Sequence, residues 1–117
     1  MDFELNGDKW KINKKNAKEI VKEYRKNNID DIKYLFGYAD FVSHRIFING
    51  DACFDQQCRT LAHELAHCYM FESGMYYIDK FNEDLVCDLV SSCSKQVYEI
   101  VERYKKEMKG SDSNASR

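Results

Sequence analysis

The stretch that decides the fold is residues 54–73, Phe-Asp-Gln-Gln-Cys-Arg-Thr-Leu-Ala-His-Glu-Leu-Ala-His-Cys-Tyr-Met-Phe-Glu-Ser. Its apolar side chains recur with helical spacing, at Cys58, Leu61, Leu65, Cys68, Tyr69 and Met70. Asp55 lies near the start of this pattern, and Gly74 follows it at a position where helices commonly end. The stretch therefore predicts one long helix with a buried face.

The same helix contains a metal-binding pattern, His63-Glu64-Leu65-Ala66-His67. Residues four apart are neighbours on one helical face, with Cβ atoms about 5–6 Å apart, so both imidazoles can bind one Zn²⁺. Glu64 is turned by about 100° from His63, which is where a general base for a metal-bound water belongs. The alternative is two surface histidines that happen to be spaced by four. The chain has 3 histidines in all, and two of them flank this glutamate.

A catalytic zinc takes three protein ligands and one water, so a further ligand must come from another element. Glu83 and Asp84 open the next predicted helix, sixteen residues after His67. Both acids would also interact favourably with the positive helix N-terminus in the absence of any metal. Asp88, one turn later, is a candidate acceptor that orients a ligating imidazole, or simply a solvated acid.

The remaining segments predict an α+β domain in the order ββ-α-ββ-α-α, in which a small antiparallel sheet packs on three helices. Asn6-Gly7 between two alternating segments predicts a hairpin. The other predicted elements are a basic helix at 14–26 capped by Asn13, strands at 32–38 and 45–48, and a helix at 83–109 that ends at Gly110. We expect a single domain over residues 1–109 and a disordered polar tail over residues 110–117.

Composition excludes several classes of protein. The chain has 117 residues, 18 Lys+Arg against 20 Asp+Glu, a net charge of −2 and 5 cysteines. That balance argues against general nucleic-acid binding, and no apolar run approaches the roughly 20 residues of a membrane span. The chain shows no signal-peptide pattern and its cysteines have no framework spacing, so we expect a cytoplasmic protein with free thiols.

Positive charge is concentrated early in the chain. Eight of the 18 cationic residues lie between Lys9 and Lys26. The cluster is either a solvated face of the first helix or a docking surface for an acidic partner or DNA.

Residues 38–82 together with the start of the last helix resemble the ImmA/IrrE family of zinc metallopeptidases, which occurs in phages and mobile elements. The matching pieces are Arg45–Asn49, Gln57–His67 and Glu83–Val90. The family has a glutamate opening the last of these segments, and Glu83 falls on it. Cys87 stands where the family usually has Asn or Asp. The resemblance covers about half of the chain.

The resemblance implies a gluzincin-like core with zinc held by His63, His67 and Glu83. It also implies an endopeptidase that cleaves helix-turn-helix repressors and so releases transcription of a mobile element. The alternative is a zinc-containing regulator that inactivates its partner by binding alone.

Peptide hydrolysis further needs a donor that stabilises the transition state. The candidates are His44, Tyr76 and Tyr77, each of which could equally be an ordinary loop or core residue. The edge of the strand near Ile46–Asn49 is a candidate for holding an extended substrate.

Overall fold

The computed structural model describes residues 1–74 and 83–112, with the side chains of residues 83–89, 91–92 and 109–112 excepted. The elements are β1 Asp2–Leu5, β2 Asp8–Lys15, α1 Ala17–Arg25, β3 Gly37–Asp40, β4 Arg45–Asn49, α2 Phe54–Glu72 and α3 Glu83–Asp112. The predicted α+β class, with a small sheet and three helices, is confirmed. None of the described helices combines the length and the apolar character needed to cross a lipid bilayer.

The four strands form one mixed sheet in the order β1-β2-β4-β3. The pairs β1–β2 and β3–β4 are antiparallel, whereas β2 and β4 run parallel. The sheet differs from the predicted antiparallel one at this single pairing. The reason is that α1, the loop after it and β3 lie between β2 and β4 in the chain, and parallel neighbours require a long crossover connection of this kind.

The first two strands form the predicted hairpin. Asn6 and Gly7 have φ angles of 50° and 86°, the left-handed pair that a type I′ turn needs. This turn sets the register in which Phe3 lies opposite Trp10, and both side chains are buried in the core.

The first helix begins later than predicted. Asn16 caps it: the Asn16 side chain accepts from the N–H of Glu19 at 2.9 Å, and the Glu19 carboxylate accepts from the N–H of Asn16 at 3.2 Å. Asn13, the predicted cap, lies within β2 instead. Residues 11–15 pair along their length with β4, and this backbone ladder outweighs the local helical pattern of the lysines.

The fourth strand lies inside the sheet and not at its edge. β3 occupies Gly37–Asp40 rather than 32–38, and β4 lies between β2 and β3. Both edges of β4 are therefore paired, so the predicted use of residues 46–49 as a free edge is wrong. Among the strands that the structure describes, the free edge on this side of the sheet belongs to β3.

Both faces of the sheet are covered. Ile46 and Ile48 face α2 and α3, whereas Phe47 between them faces α1, because side chains alternate along a strand. The larger core joins β1, β2 and β4 to the two long helices through Phe3, Leu5, Trp10, Ile12, Leu61, Leu65, Ile100 and Tyr104. The long helix α2 is thus fixed on the sheet along its apolar stripe.

Helix α3 docks on the first turns of α2. The Tyr104 hydroxyl donates to Oε1 of Gln57 at 2.8 Å, and the Tyr104 ring stacks on Phe54 with centroids 6.0 Å apart. The helix continues to Asp112, so residues 110–112 are helical and not part of a disordered tail. Gly110 costs a helix only about 1 kcal/mol relative to alanine, which is too little to end it by itself. Residues 113–117 lie outside the described residues.

Candidate metal and catalytic site

His63 and His67 lie side by side on the exposed side of α2. Their Nε2 atoms are 3.1 Å apart, and the ring centroids are 4.7 Å apart at an interplanar angle of 75°. Both residues are exposed. The four-residue spacing therefore brings two imidazole nitrogens together, as the sequence predicts.

This pair fits two ligands of a single zinc ion. Zn–N bonds of about 2.0–2.1 Å in a tetrahedral site place two ligand nitrogens about 3.3 Å apart, close to the separation observed here. Partial desolvation and the neighbouring His63 lower the pKa of His67, so its ring is held in the neutral form that binds metal. An N–H···N hydrogen bond between neutral rings has a similar length, so metal binding needs a direct test.

Glu64 is turned by about 100° from His63 around the helix, and its side chain faces β3. Its carboxylate accepts a hydrogen bond from the backbone N–H of Ala39. Burial raises the pKa of Glu64, and this rise is partly opposed by the charge of His63 and by the Ala39 N–H. A half-buried carboxylate with a raised pKa, fixed by a backbone donor, has the properties of a general base.

The strand β3 approaches α2 closely because position 37 has no side chain. A β-carbon on Gly37 would overlap the Cγ2 methyl of Thr60 and would lie 3.3 Å from Cγ of Glu64. This contact brings β3 alongside the turn of α2 that carries Glu64. Glycine at this position is therefore a packing requirement of the site.

Alternate peptide groups of β3 make no hydrogen bond to β4. The N–H of Asn49 donates to the carbonyl of Phe36 at 2.9 Å, which makes these two residues a hydrogen-bonded pair. Because such pairs alternate along an antiparallel ladder, the peptide groups of Gly37 and Ala39 point away from β4. The outer edge of β3 thus runs past Glu64 with backbone donors and acceptors directed outward.

The third predicted ligand lies at the start of α3. Glu83 is the first residue of that helix, and Asp84 and Asp88 follow in its first two turns. The side chains of all three lie outside the described residues, as do Tyr76 and Tyr77. The assignments of Glu83 or Asp84 as a ligand, Asp88 as its neighbour, and the two tyrosines as donors therefore stay predictions.

His44 is held near the far end of α2. It adopts a left-handed φ of 55°, stacks on Trp10 with centroids 4.4 Å apart at 5°, and places Nε2 4.0 Å from Oε1 of Glu72. Glu72 is five residues beyond His67, or about 7.5 Å further along the helix axis. These contacts direct His44 towards Glu72, and its predicted role as a transition-state donor stays untested.

Two groups that shape the site, the backbone N–H of Ala39 and the glycine at position 37, were not predicted from the sequence. The Ala39 N–H is a backbone group, which any residue type could supply. Gly37 did carry a signal, because an isolated glycine in a strand-like segment commonly marks a close backbone approach. Its partner Thr60 could not be named without the tertiary structure.

Comparisons of the chain with protein-family models, with curated proteins and with solved structures find no match for any part of it.

Proposed function

We propose that this protein is a zinc-dependent endopeptidase. The observation that carries the proposal is the arrangement on α2, where the Nε2 atoms of His63 and His67 are 3.1 Å apart and the adjacent Glu64 is held by the N–H of Ala39. Two metal-binding nitrogens beside a carboxylate of raised pKa are the parts that water-activated peptide hydrolysis needs.

In this proposal His63 and His67 hold the zinc together with Glu83, the ligand that the family resemblance implies. When bound, zinc supplies a Lewis acid that polarises a carbonyl and lowers the pKa of water to about 7. Glu64 accepts the proton of the attacking water on its carboxylate and delivers it to the nitrogen of the departing amine. The Ala39 N–H keeps that carboxylate oriented during both transfers.

The free edge of β3 is the proposed binding place for the substrate backbone. The outward N–H and carbonyl of Gly37 and the outward carbonyl of Ala39, whose N–H is bound to Glu64, can pair with an extended peptide, which is a common mode of peptide recognition. Because this edge passes Glu64, a peptide added to it would present its carbonyl groups to the same carboxylate. The substrate would therefore bind in an unfolded, extended segment.

The proposed substrate is a helix-turn-helix repressor whose cleavage releases transcription of a phage or mobile element in the cytoplasm. This substrate class rests on the resemblance to ImmA/IrrE peptidases.

The deciding experiment incubates zinc-loaded protein with the helix-turn-helix repressor encoded next to its gene. We expect wild-type protein to make one discrete cut, and Glu64→Gln to bind zinc normally but to make none. Glu107→Gln, an exposed substitution of the same type on α3, should cut like wild type. Cleavage by Glu64→Gln at the wild-type rate would overturn the proposal.

The same variant separates the enzyme from a regulator that acts by binding alone. In a reporter assay, Glu64→Gln should fail to relieve repression if hydrolysis is the activity. Full relief by this variant would favour the non-catalytic alternative.

A further inference from the structure

We propose that Asp8, His44 and Glu72 form a second divalent-metal site, which is structural and separate from the His63–His67 pair. One ligand atom from each residue lies within 4.8 Å of the other two. The three residues come from the start of β2, the β3–β4 turn and the last position of α2. A bound ion would therefore tie the end of the histidine-bearing helix to two corners of the sheet.

Glu72 provides the strongest reason to expect a cation. Its side chain is only 7% exposed, and it ends α2, where the helix dipole is negative. Two carboxylates at the negative end of a helix, one of them removed from water, are stabilised by a positive ion between them.

The surrounding residues orient the ligands in the way that metal sites require. Nε1 of Trp10 donates to Oε1 of Glu72 at 3.1 Å, and the Trp10 ring stacks on His44 with centroids 4.4 Å apart. A hydrogen-bonded carboxylate and a fixed imidazole are typical of the shell around bound metals. One tryptophan thus holds two of the three proposed ligands.

The distances are compatible with a shared ion. Two atoms bonded to one ion at about 2.1 Å lie at most about 4.2 Å apart. The 4.0 Å between Nε2 of His44 and Oε1 of Glu72 lies within this limit but above the roughly 3.3 Å of a tetrahedral zinc site, so these two side chains would move closer together on binding. Asp8 is exposed at the end of the hairpin turn, so its carboxylate can rotate to complete the set.

An ion can reach this cluster from solvent. Asp8 is exposed and the side chain of His44 is 33% exposed, so solvent reaches two of the three proposed ligands directly. Two carboxylates and one imidazole form a set that accepts first-row divalent ions such as Mn²⁺, Fe²⁺ and Zn²⁺. We choose Zn²⁺ as the probe because it binds such sets more tightly than the earlier metals of the series.

The test uses the full chain with the first site removed. In the His63→Ala/His67→Ala variant, stripped with a chelator, calorimetry should still detect one equivalent of bound Zn²⁺, and zinc should raise the melting temperature. Adding Asp8→Asn to that background should weaken zinc binding at least tenfold. Asp2→Asn, an exposed acid on the neighbouring strand, is the matched control and should leave the affinity unchanged.

A second pair of variants protects the test against misfolding. Glu72→Gln keeps an oxygen that accepts from Trp10, and His44→Asn suits the left-handed backbone at that position. Each should weaken zinc binding as Asp8→Asn does. Absence of zinc binding in the His63→Ala/His67→Ala protein, or the same affinity with and without Asp8→Asn, would overturn the second site. Neither result bears on the peptidase proposal, which depends on the histidine pair and Glu64.

Discussion

Gly37 of β3 lies so close to Thr60 of α2 that a β-carbon at position 37 would overlap the Cγ2 methyl of Thr60. The same β-carbon would lie 3.3 Å from Cγ of Glu64 and 3.3 Å from the backbone oxygen of Phe47. The strand that holds the proposed general base through Ala39 is therefore in direct contact with the helix that carries it.

This contact predicts the behaviour of a three-variant series. Gly37→Ala should lower the free energy of unfolding by about 1–3 kcal/mol, as overpacking usually does. Thr60→Ser removes the opposing methyl but keeps the Oγ that accepts from Gln56 at 3.0 Å, so it should cost less than about 1 kcal/mol. The double variant should recover most of the loss. Urea denaturation measures all three.

Gly50→Ala is the control for this series. A β-carbon at position 50 would meet the flexible end of Lys14 at 3.4 Å and would make no closer contact. Its stability should stay within about 0.5 kcal/mol of wild type. A Gly37→Ala protein as stable as Gly50→Ala would refute the packing argument.

Removal of the metal should abolish the proposed proteolysis. Protein treated with a chelator should regain activity on the addition of zinc, whereas His67→Ala treated in the same way should not, since one of two nitrogens 3.1 Å apart is lost. Because the ring of His67 is exposed, the metal-free variant should unfold at the same urea concentration as the metal-free wild type. Recovery of activity by His67→Ala would count against the assignment of this ligand.

Docking of the two long helices should depend on one buried hydroxyl. Tyr104→Phe leaves the ring stacked on Phe54 but removes the donor to Gln57, whose side chain is also buried. An acceptor without its partner in the core costs about 1–3 kcal/mol, which thermal or urea unfolding would detect. Tyr98→Phe makes the same chemical change at an exposed position of α3 and should be neutral. Equal stability of the two variants would contradict the role of this bond.

The cysteines should differ sharply in reactivity. Cys53 is exposed, whereas Cys68 is fully buried, and burial together with the nearby Glu64 and Glu72 raises the pKa of its thiol. Burial also raises the pKa of Cys93. Iodoacetamide at neutral pH should label Cys53 before Cys68 and Cys93 in the native protein, as peptide mapping would show, because the thiolate is the reactive form.

Unfolding in urea provides the control for this labelling. Cys53, Cys68 and Cys93 should then react at comparable rates. Native Cys68 reacting as fast as native Cys53 would show that the core around α2 opens readily.

Local sequence patterns predicted correctly the elements that depend on residues close together in the chain. Helix α2 begins at Phe54 as predicted and ends one residue earlier, and the predicted Asn6-Gly7 hairpin forms. The pairing of His63 and His67 follows from helix geometry alone, because residues four apart always share a face. These features need no information from distant parts of the chain.

Local patterns failed where backbone pairing with a distant segment competes with them. The lysine-rich start of the predicted first helix became the end of β2, since residues 11–15 find hydrogen-bonding partners in β4. The same parallel pairing made β4 an internal strand and left the free edge to β3. A sequence pattern does not encode which strand a given strand will meet.

The sequence by itself determined the helix α2, its two facing imidazoles and the glutamate between them, because helical periodicity places these groups within one or two turns. Only the tertiary structure decided what surrounds them. It placed the Ala39 N–H on Glu64, Gly37 against Thr60, and His44 beside Glu72, contacts that join residues 23 to 28 positions apart along the chain. Such contacts depend on the order of the strands in the sheet and on how closely α2 packs on it. No periodic pattern in the sequence encodes either property.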